Sequence, residues 1–272
     1  MNRELLLDRV SLVFDGPLAR VSLSRAEKYN GLDLPMMRAL VMAAKKIRRN
    51  RDIRVVILDG EGKAFSAGLD FASVTRDPLG IVRAFATFGL KKANLFQEVC
   101  LCWRDLPVPV ITVLHGYCYG GALQIALAAD FRISTPDCQL SIMEIKWGLI
   151  PDMSATVTLR ELIPMDLARE LTMTGRIFDG SEARAMNLVT RVSDTPIEEA
   201  EQLARQIAAR SPDGVSAAKS LFRKTWFASE RKALRTERRL QLSLLTGNNR
   251  ARAMQANKDD KAPEFLPRSR DY

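Results

Sequence analysis

The sequence predicts an α/β protein, and three observations predict it. Short apolar runs of strand length alternate with segments of helical period, two glycine-bearing turns each end one of those runs, and strand character disappears beyond Pro196. Residues 20–23, Arg-Val-Ser-Leu, read as the first strand. Residues 35–49 then carry apolar side chains at helical spacing. Residues 55–58 are the unbroken apolar run Val-Val-Ile-Leu, as expected of a strand covered on both faces of a parallel sheet. They lead into the turn Ala64-Phe65-Ser66-Ala67-Gly68-Leu69-Asp70. Residues 108–114 repeat the pattern and lead into His115-Gly116-Tyr117-Cys118-Tyr119-Gly120-Gly121-Ala122. Residues 122–129 are strong helix formers, and 131–134 and 139–142 read as two more strands. Residues 197–210 and 214–246 have helical spacing, separated by the helix-breaking turn Ser211-Pro212-Asp213-Gly214. The expected organisation is a core over residues 1–195 and a helical region over residues 196–272.

Both glycine turns are expected to leave one sheet on the same side, which lets two backbone N–H groups converge. Two such donors form an oxyanion hole, which stabilises negative charge as it develops on a carbonyl oxygen. Gly121 falls in the first turn of the helix that follows, so its N–H has no intrahelical acceptor and lies at the positive end of the helix dipole. The missing Cβ at Gly120 and Gly121 lets a ligand approach the backbone closely. Tight strand-to-helix packing with no ligand is the alternative for either turn taken alone.

With 272 residues, 47% hydrophobic and 27% charged, the chain can bury a full core. Residues 106–129 carry no charge if His115 is neutral, but Pro107, Pro109, Gly116, Gly120 and Gly121 interrupt any membrane-spanning helix there. The start, with Glu4 and Asp8 around a short apolar run, matches neither a secretion signal nor a transit peptide, so a cytoplasmic enzyme is expected. Cys100, Cys102, Cys118 and Cys138 do not form a zinc pattern, and a single histidine supplies no imidazole metal site. His115 is expected to make a local hydrogen bond. A formal charge of +9 admits a phosphorylated cofactor or a nucleic acid as partner. The basic stretches at 45–51 and 231–239 are the candidates for the latter, but no aromatic residue interleaves with them to stack bases.

Residues 65–70 (Phe-Ser-Ala-Gly-Leu-Asp), 116–122 (Gly-Tyr-Cys-Tyr-Gly-Gly-Ala) and 143–151 (Met-Glu-Ile-Lys-Trp-Gly-Leu-Ile-Pro) resemble the three signature segments of the crotonase, or enoyl-CoA hydratase/isomerase, superfamily. The resemblance starts at Leu23-Ser24-Arg25-Ala26-Glu27-Lys28-Tyr29-Asn30-Gly31-Leu32 and extends to Lys261-Ala262-Pro263-Glu264-Phe265. It implies a spiral core of ββα units and a C-terminal helical region that assembles trimers, often paired into hexamers. It also implies a coenzyme A thioester as substrate and no tightly bound cofactor. Arg25, Lys28 and Lys63, with Ala67, Gly68 and Asp70 of the first turn, are then the expected coenzyme A ligands. A branch of the superfamily binds RNA through lysines, which keeps the nucleic-acid reading open.

The resemblance also assigns the chemistry. Hydratases of the family use two glutamates, and the matching positions here are Gln124 and Glu144. A carboxamide cannot hold and release a proton near neutral pH, so water activation by two carboxylates is in doubt. One glutamate at position 144 matches the isomerases that move a double bond from C3 to C2. Glu144 would take a proton from C2 and return it at C4, while Leu69 N–H and Gly121 N–H hold the enolate oxygen. The apolar neighbours Met143, Ile145 and Trp147 are expected to raise its pKa. The alternative for Glu144 is a structural acid paired with Lys146 or an arginine. Asp152 follows eight residues later, the separation of the two acids in dienoyl-CoA isomerases of the family. It is equally read as the cap of a helix starting near Ser154. Phe85, Phe88 and Phe96 are expected to line the acyl pocket.

Overall fold

The computed structural model describes residues 3–87 and 92–272. Among them, β1 (Arg3–Leu6), β2 (Val10–Asp15) and β3 (Leu18–Leu23) form an antiparallel meander. It continues in parallel through β4 (Val55–Gly60) and β5 (Val110–Leu114). A short strand over Tyr117–Tyr119, β6, leaves this sheet and pairs in parallel with a later strand, while β7 (Phe131–Ser134) rejoins the main sheet beside β5. The partner of β6 is β8 (Gln139–Ser141), and β9 (Arg191–Val192) closes the main sheet in the order β1-β2-β3-β4-β5-β7-β9.

β4 and β5 lie side by side in the middle of the sheet, and all of β5 is buried. Their largely apolar sequences follow from that position, because both faces are covered. On one face lies α1 (Leu34–Arg49), whose first turn is capped by Asp33 accepting from Met36 N at 2.8 Å. On the other face, Val55, Ile57, Ile111, Val113 and Ile133 pack against Ala200, Ala204 and Ala208 of α9, the helix over Pro196–Ala208. The small side chains let that helix approach closely. The helical region expected from residue 196 therefore starts with a helix that is itself a layer of the core.

Between β4 and β5 run α2 (Phe71–Val74), α3 (Pro78–Phe85) and α4 (Leu95–Arg104). After β6 comes α5 (Gly121–Leu127), wholly buried. The chain continues through α6 (Ala155–Leu159), α7 (Met165–Thr174) and α8 (Gly180–Ala185), and after α9 through α10 (Pro212–Thr225), α11 (Glu230–Leu245) and α12 (Asn248–Lys258). The last residues thread back onto the core. The Arg268 side chain, 1% exposed, donates to Ile53 O and Arg48 O at 3.2 and 3.3 Å, and Asp213 takes hydrogen bonds from Asn249 and Ser269.

The structure differs from these expectations at several points. The β1–β2 hairpin and β9 were not expected, and residues 212–214, expected in a helix-breaking turn, form the first turn of α10 behind the Ser211 cap. β6 was hidden inside a glycine turn. The segment 214–246 is two helices rather than one, because the chain turns at Trp226-Phe227-Ala228-Ser229, where the Ser229 backbone is extended at φ −61° and ψ 150°. No helix among the described residues is long and apolar enough to cross a membrane.

Candidate active site

Three segments meet beyond the C-terminal ends of β3, β4 and β5, and backbone hydrogen bonds join them. Leu32 N donates to Gly68 O and Asp70 N to Leu32 O, while Ser66 N donates to Tyr117 O and Tyr119 N to Ser66 O. Buried Asn30 staples the first two segments, donating from Nδ2 to Glu61 O and Ala64 O at 2.9 Å each and accepting from Arg25 N at 2.8 Å. The Ser66 hydroxyl donates to Asn30 O. His115 makes the local hydrogen bond expected of it, from Nε2 to Gly62 O at 3.1 Å.

Glycine is required at the point where the two turns cross. Gly68 has φ +88°, and a Cβ there would stand 2.6 Å from Tyr119 O. Gly120 has φ +52°, and the space over its α-carbon faces the Glu144 carboxyl, with Oε1 3.4 Å from an ideal Cβ. Gly121 differs from expectation. Its missing Cβ makes room for the protein's own Met153 Sδ, 2.6 Å from the ideal position, and not for a ligand. Leu32 Cδ1 lies 3.4 Å from the same point, and Leu32 also pairs with Leu69, so Leu69 and Gly121 flank one residue. Among the described residues, neither Leu69 N–H nor Gly121 N–H donates to a protein acceptor. Two unpaired donors on residues that both adjoin Leu32, one of them at a helix N-terminus, suit an anionic oxygen.

Glu144 opens a turn of 3-10 helix over Glu144–Trp147, after β8. Its Oε1 accepts from Gln124 Nε2 at 2.7 Å, and its Oε2 is buried with no partner among the described residues. No ion pair forms with Lys146 or any arginine among the described residues, so the structural-acid alternative is not what the geometry shows. Burial pushes the Glu144 carboxyl above its usual range. Its own backbone N–H and Gln124 oppose the shift, and the negative charge of Asp152 adds to it. The expected source of that burial is corrected: Ile145 and Trp147 are 40% and 60% exposed, and the indole packs on Phe71 at 4.6 Å. Gly120 and Gln124 at the start of α5 face its carboxyl instead.

Asp152 is half-buried, and burial raises its pKa as well. It does not cap α6. The N-cap residue is Ser154, in the left-handed region at φ +76°, and no side-chain cap bond forms from it. The residue that meets the amides here is Gln124, whose Oε1 accepts from Met153 N at 2.8 Å and Ala155 N at 3.2 Å.

The expected coenzyme A ligands separate into two groups. Lys28, Ala67, Gly68 and Asp70 line a groove of about 340 Å³ beside the candidate site, together with Arg25 and Arg76. The Arg25 guanidinium is turned inward, however. It pairs with Asp70 at 2.8 Å and Asp33 at 3.4 Å and is 11% exposed. Burial works to raise the Asp70 pKa, but hydrogen bonds from Ser73 and Arg25 outweigh it and hold this carboxyl low. Arg25 and Asp70 thus lock the first two segments together. The exposed cations of the groove are Lys28 and Arg76, and Arg76 was not foreseen because it lies beyond the glycine turn. Lys63 is exposed but does not line the groove. A larger cavity of about 870 Å³ lies elsewhere, between α9, α10 and the end of α5.

Phe85 stacks on Phe96 at 4.6 Å, Phe96 is buried in the main core, and Phe88 lies outside the described residues. Of the basic stretches, 45–51 is tied to the rest of the chain through Lys46–Glu4, Arg48–Asp271 and Arg51 on the C-terminal backbone. Residues 231–239 lie along α11.

The family model described as enoyl-CoA hydratase/isomerase matches residues 14–267. Carnitinyl-CoA dehydratase of Salmonella typhi is 31% identical over 221 residues, covering 80% of this chain and 81% of its own. Enoyl-CoA hydratase EchA19 of Mycobacterium tuberculosis is 29% identical over 250 residues, covering 91% and 92%. Among solved structures, an enoyl-CoA hydratase from Bacillus anthracis superposes with a TM-score of 0.85 at 26% identity, covering 94% of this chain and 98% of that one.

Proposed function

The chain belongs to the enoyl-CoA hydratase/isomerase family, and from that premise we propose that it moves a double bond within an enoyl-CoA thioester, with Glu144 as proton carrier and the N–H groups of Leu69 and Gly121 holding the enolate oxygen. Ionised Glu144 removes a proton from C2 of a 3-enoyl-CoA. The electron pair passes into the conjugated system, and the charge comes to rest on the thioester oxygen between the two amides. Glu144 then returns its proton at C4, giving the 2-enoyl-CoA with no net gain or loss of atoms. The observation that carries this reading is the contact at position 124, where a carboxamide N–H meets Glu144 and a second carboxylate is missing. Lys28 and Arg76 meet the nucleotide phosphates in the groove beside the site.

Incubation with 3-enoyl-, 2-enoyl- and dienoyl-CoA, with products identified by mass and ultraviolet spectrum, tests the proposal. The expected product is 2-enoyl-CoA from the 3-enoyl substrate. Brisk conversion of 2-enoyl-CoA to the 3-hydroxyacyl thioester overturns the isomerase reading in favour of hydration.

A second reading has its own observation in favour. Asp152 is half-buried beside Glu144, and no other residue donates to its carboxylate among the described residues, which leaves it free to share the proton transfer. The pH dependence distinguishes the two. Glu144 must be ionised to accept the C2 proton, and its pKa is raised, so kcat falls with decreasing pH at a point above the ordinary carboxylate range. With a single carrier, Asp152→Asn leaves the maximal rate nearly unchanged and moves that acid limb slightly down, because a neighbouring negative charge is gone. With two carriers, the same substitution costs about 10²-fold or more, and the profile of the unaltered protein is bell-shaped.

Assembly into trimers or hexamers belongs to the same proposal. Phe222, Trp226, Phe227 and Leu242 on and between α10 and α11 are each more than half exposed, an apolar surface that suits burial against a second copy. Light scattering is expected to give the mass of a trimer or hexamer, and a stable monomer at working concentration would remove this part of the account.

A further inference from the structure

Gln124 stands at the junction of three parts of the site. It is the fourth residue of α5, three residues after Gly121, and its backbone N donates to Gly120 O at 3.1 Å. Its side chain is 1% exposed, and its polar atoms are committed in a fixed sense. Oε1 accepts from the amides of Met153 and Ala155, so Nε2 is the atom that faces Glu144, which it meets at 2.7 Å. That orientation is not interchangeable, because the two backbone amides are donors only and a flipped carboxamide would set N–H against N–H.

The segment Gln124 holds is packed into the core through Met153 and Ala155, 4% and 1% exposed, but has few polar ties of its own. Ser154 is in the left-handed region, which costs energy for a residue other than glycine. α6 starts immediately after it with no cap from its own sequence. The same segment carries Asp152 on one side and places Met153 Sδ in the space left by the absent Gly121 Cβ on the other. A displacement of this segment would thus be felt both at Asp152 and at the residue that bears a candidate oxyanion donor.

We propose that Gln124 is a positioning residue for Glu144: its carboxamide occupies Oε1, leaves Oε2 as the one carboxylate oxygen able to exchange a proton, and ties Glu144 to the segment that carries Asp152 and Met153. This rests on the reading of Glu144 as the proton carrier. A glutamate at 124 could keep one half of this arrangement and not the other. One of its oxygens still accepts from Met153 N and Ala155 N, but the other has no N–H to give and stands against the Glu144 carboxylate. One proton must then be shared between the two groups, or they must separate. Among the described residues, the titratable groups that bear on Glu144 are Asp152 and the buried Cys100 thiol, whose pKa burial pushes far up, so the thiol stays neutral and Asp152 carries the charge.

The test is made on the substrate-free protein, so it stands or falls separately from the substrate and from the reaction. The Glu144 carboxyl is titrated by infrared difference spectroscopy, with Glu144→Gln as the reference. Exchange of the Met153 and Ala155 amides is followed by NMR. In Gln124→Glu, which retains the acceptor oxygen and so keeps the fold of the segment, the Glu144 titration is expected to move up by about a unit or more while both amides stay protected. In Gln124→Met, which loses donor and acceptor alike, the titration is also expected to move up and protection of both amides to fall at least about tenfold. A Glu144 titration unchanged in Gln124→Glu overturns the proposal, even if Gln124→Met fails to fold. So does full protection of the two amides in a folded Gln124→Met.

Discussion

Glu144→Gln is expected to lower kcat on a 3-enoyl-CoA by about 10²–10⁴-fold while leaving the protein folded. The size follows from what the substitution removes. Oε2 of Glu144 is buried, unpartnered and over the first turn of α5, and in the proposed reaction it performs both proton transfers. A glutamine in its place can still meet the Gln124 side chain but cannot accept a proton from carbon. Stability moves the other way. Burial raises the Glu144 pKa in the folded state above its unfolded value, so the ionised carboxylate opposes folding once pH exceeds the unfolded value, and fully so above the folded one. The variant should accordingly melt no lower than the parent near neutral pH, and higher if the shift is large. Thermal melts alongside kcat measurements separate a lost base from a lost fold.

Gly121→Pro is expected to remove turnover to about the same degree by another route. Proline has no N–H, and loss of one donor to a developing oxyanion costs about 10²–10³-fold in rate. The helix itself tolerates the change, because proline is favoured in the first helical position. The contact with Met153 requires a control, since any side chain at 121 meets Sδ at 2.6 Å and that thioether must shift. Gly121→Ala supplies it, adding the Cβ and keeping the N–H. A large loss in the proline variant beyond that of the alanine variant isolates the donor; equal losses in the two would assign the effect to Met153 packing and remove the N–H from the mechanism. Charge-dependent binding of RNA, by contrast, would survive both substitutions and weaken with salt.

The strands and glycine turns were legible in the sequence because their causes are local. A strand buried on both faces has to be mostly apolar, as residues 55–58 of β4 and, apart from Thr112, β5 are, while the backbone crossing at Gly68 and the positive φ of Gly120 call for glycine. Residues whose role depends on distant partners were legible only in part. Glu144 was found, but Ile145 and Trp147 beside it in sequence face outward, and its carboxyl meets Gly120 and Gln124, more than twenty positions upstream in the case of Gly120. Arg25 looked like a free cation because its neutralising partner, Asp70, is 45 residues away. The position of Asp152 after Pro151 suggested a helix cap, a role that depends on a backbone turn at Ser154 no residue pattern announces. The break between α10 and α11 falls on Trp226-Phe227-Ala228-Ser229, which contains neither glycine nor proline, so periodicity ran straight through it.

In the proposed reaction the thioester oxygen rests between Leu69 and Gly121 with C2 within reach of Glu144. A crystal structure of Glu144→Gln with a bound 3-enoyl-CoA tests it most directly. The expected result is that oxygen within about 3 Å of both amide nitrogens and C2 facing the side chain at 144. An oxygen remote from both amides, with the acyl chain directed away from residue 144, would contradict it.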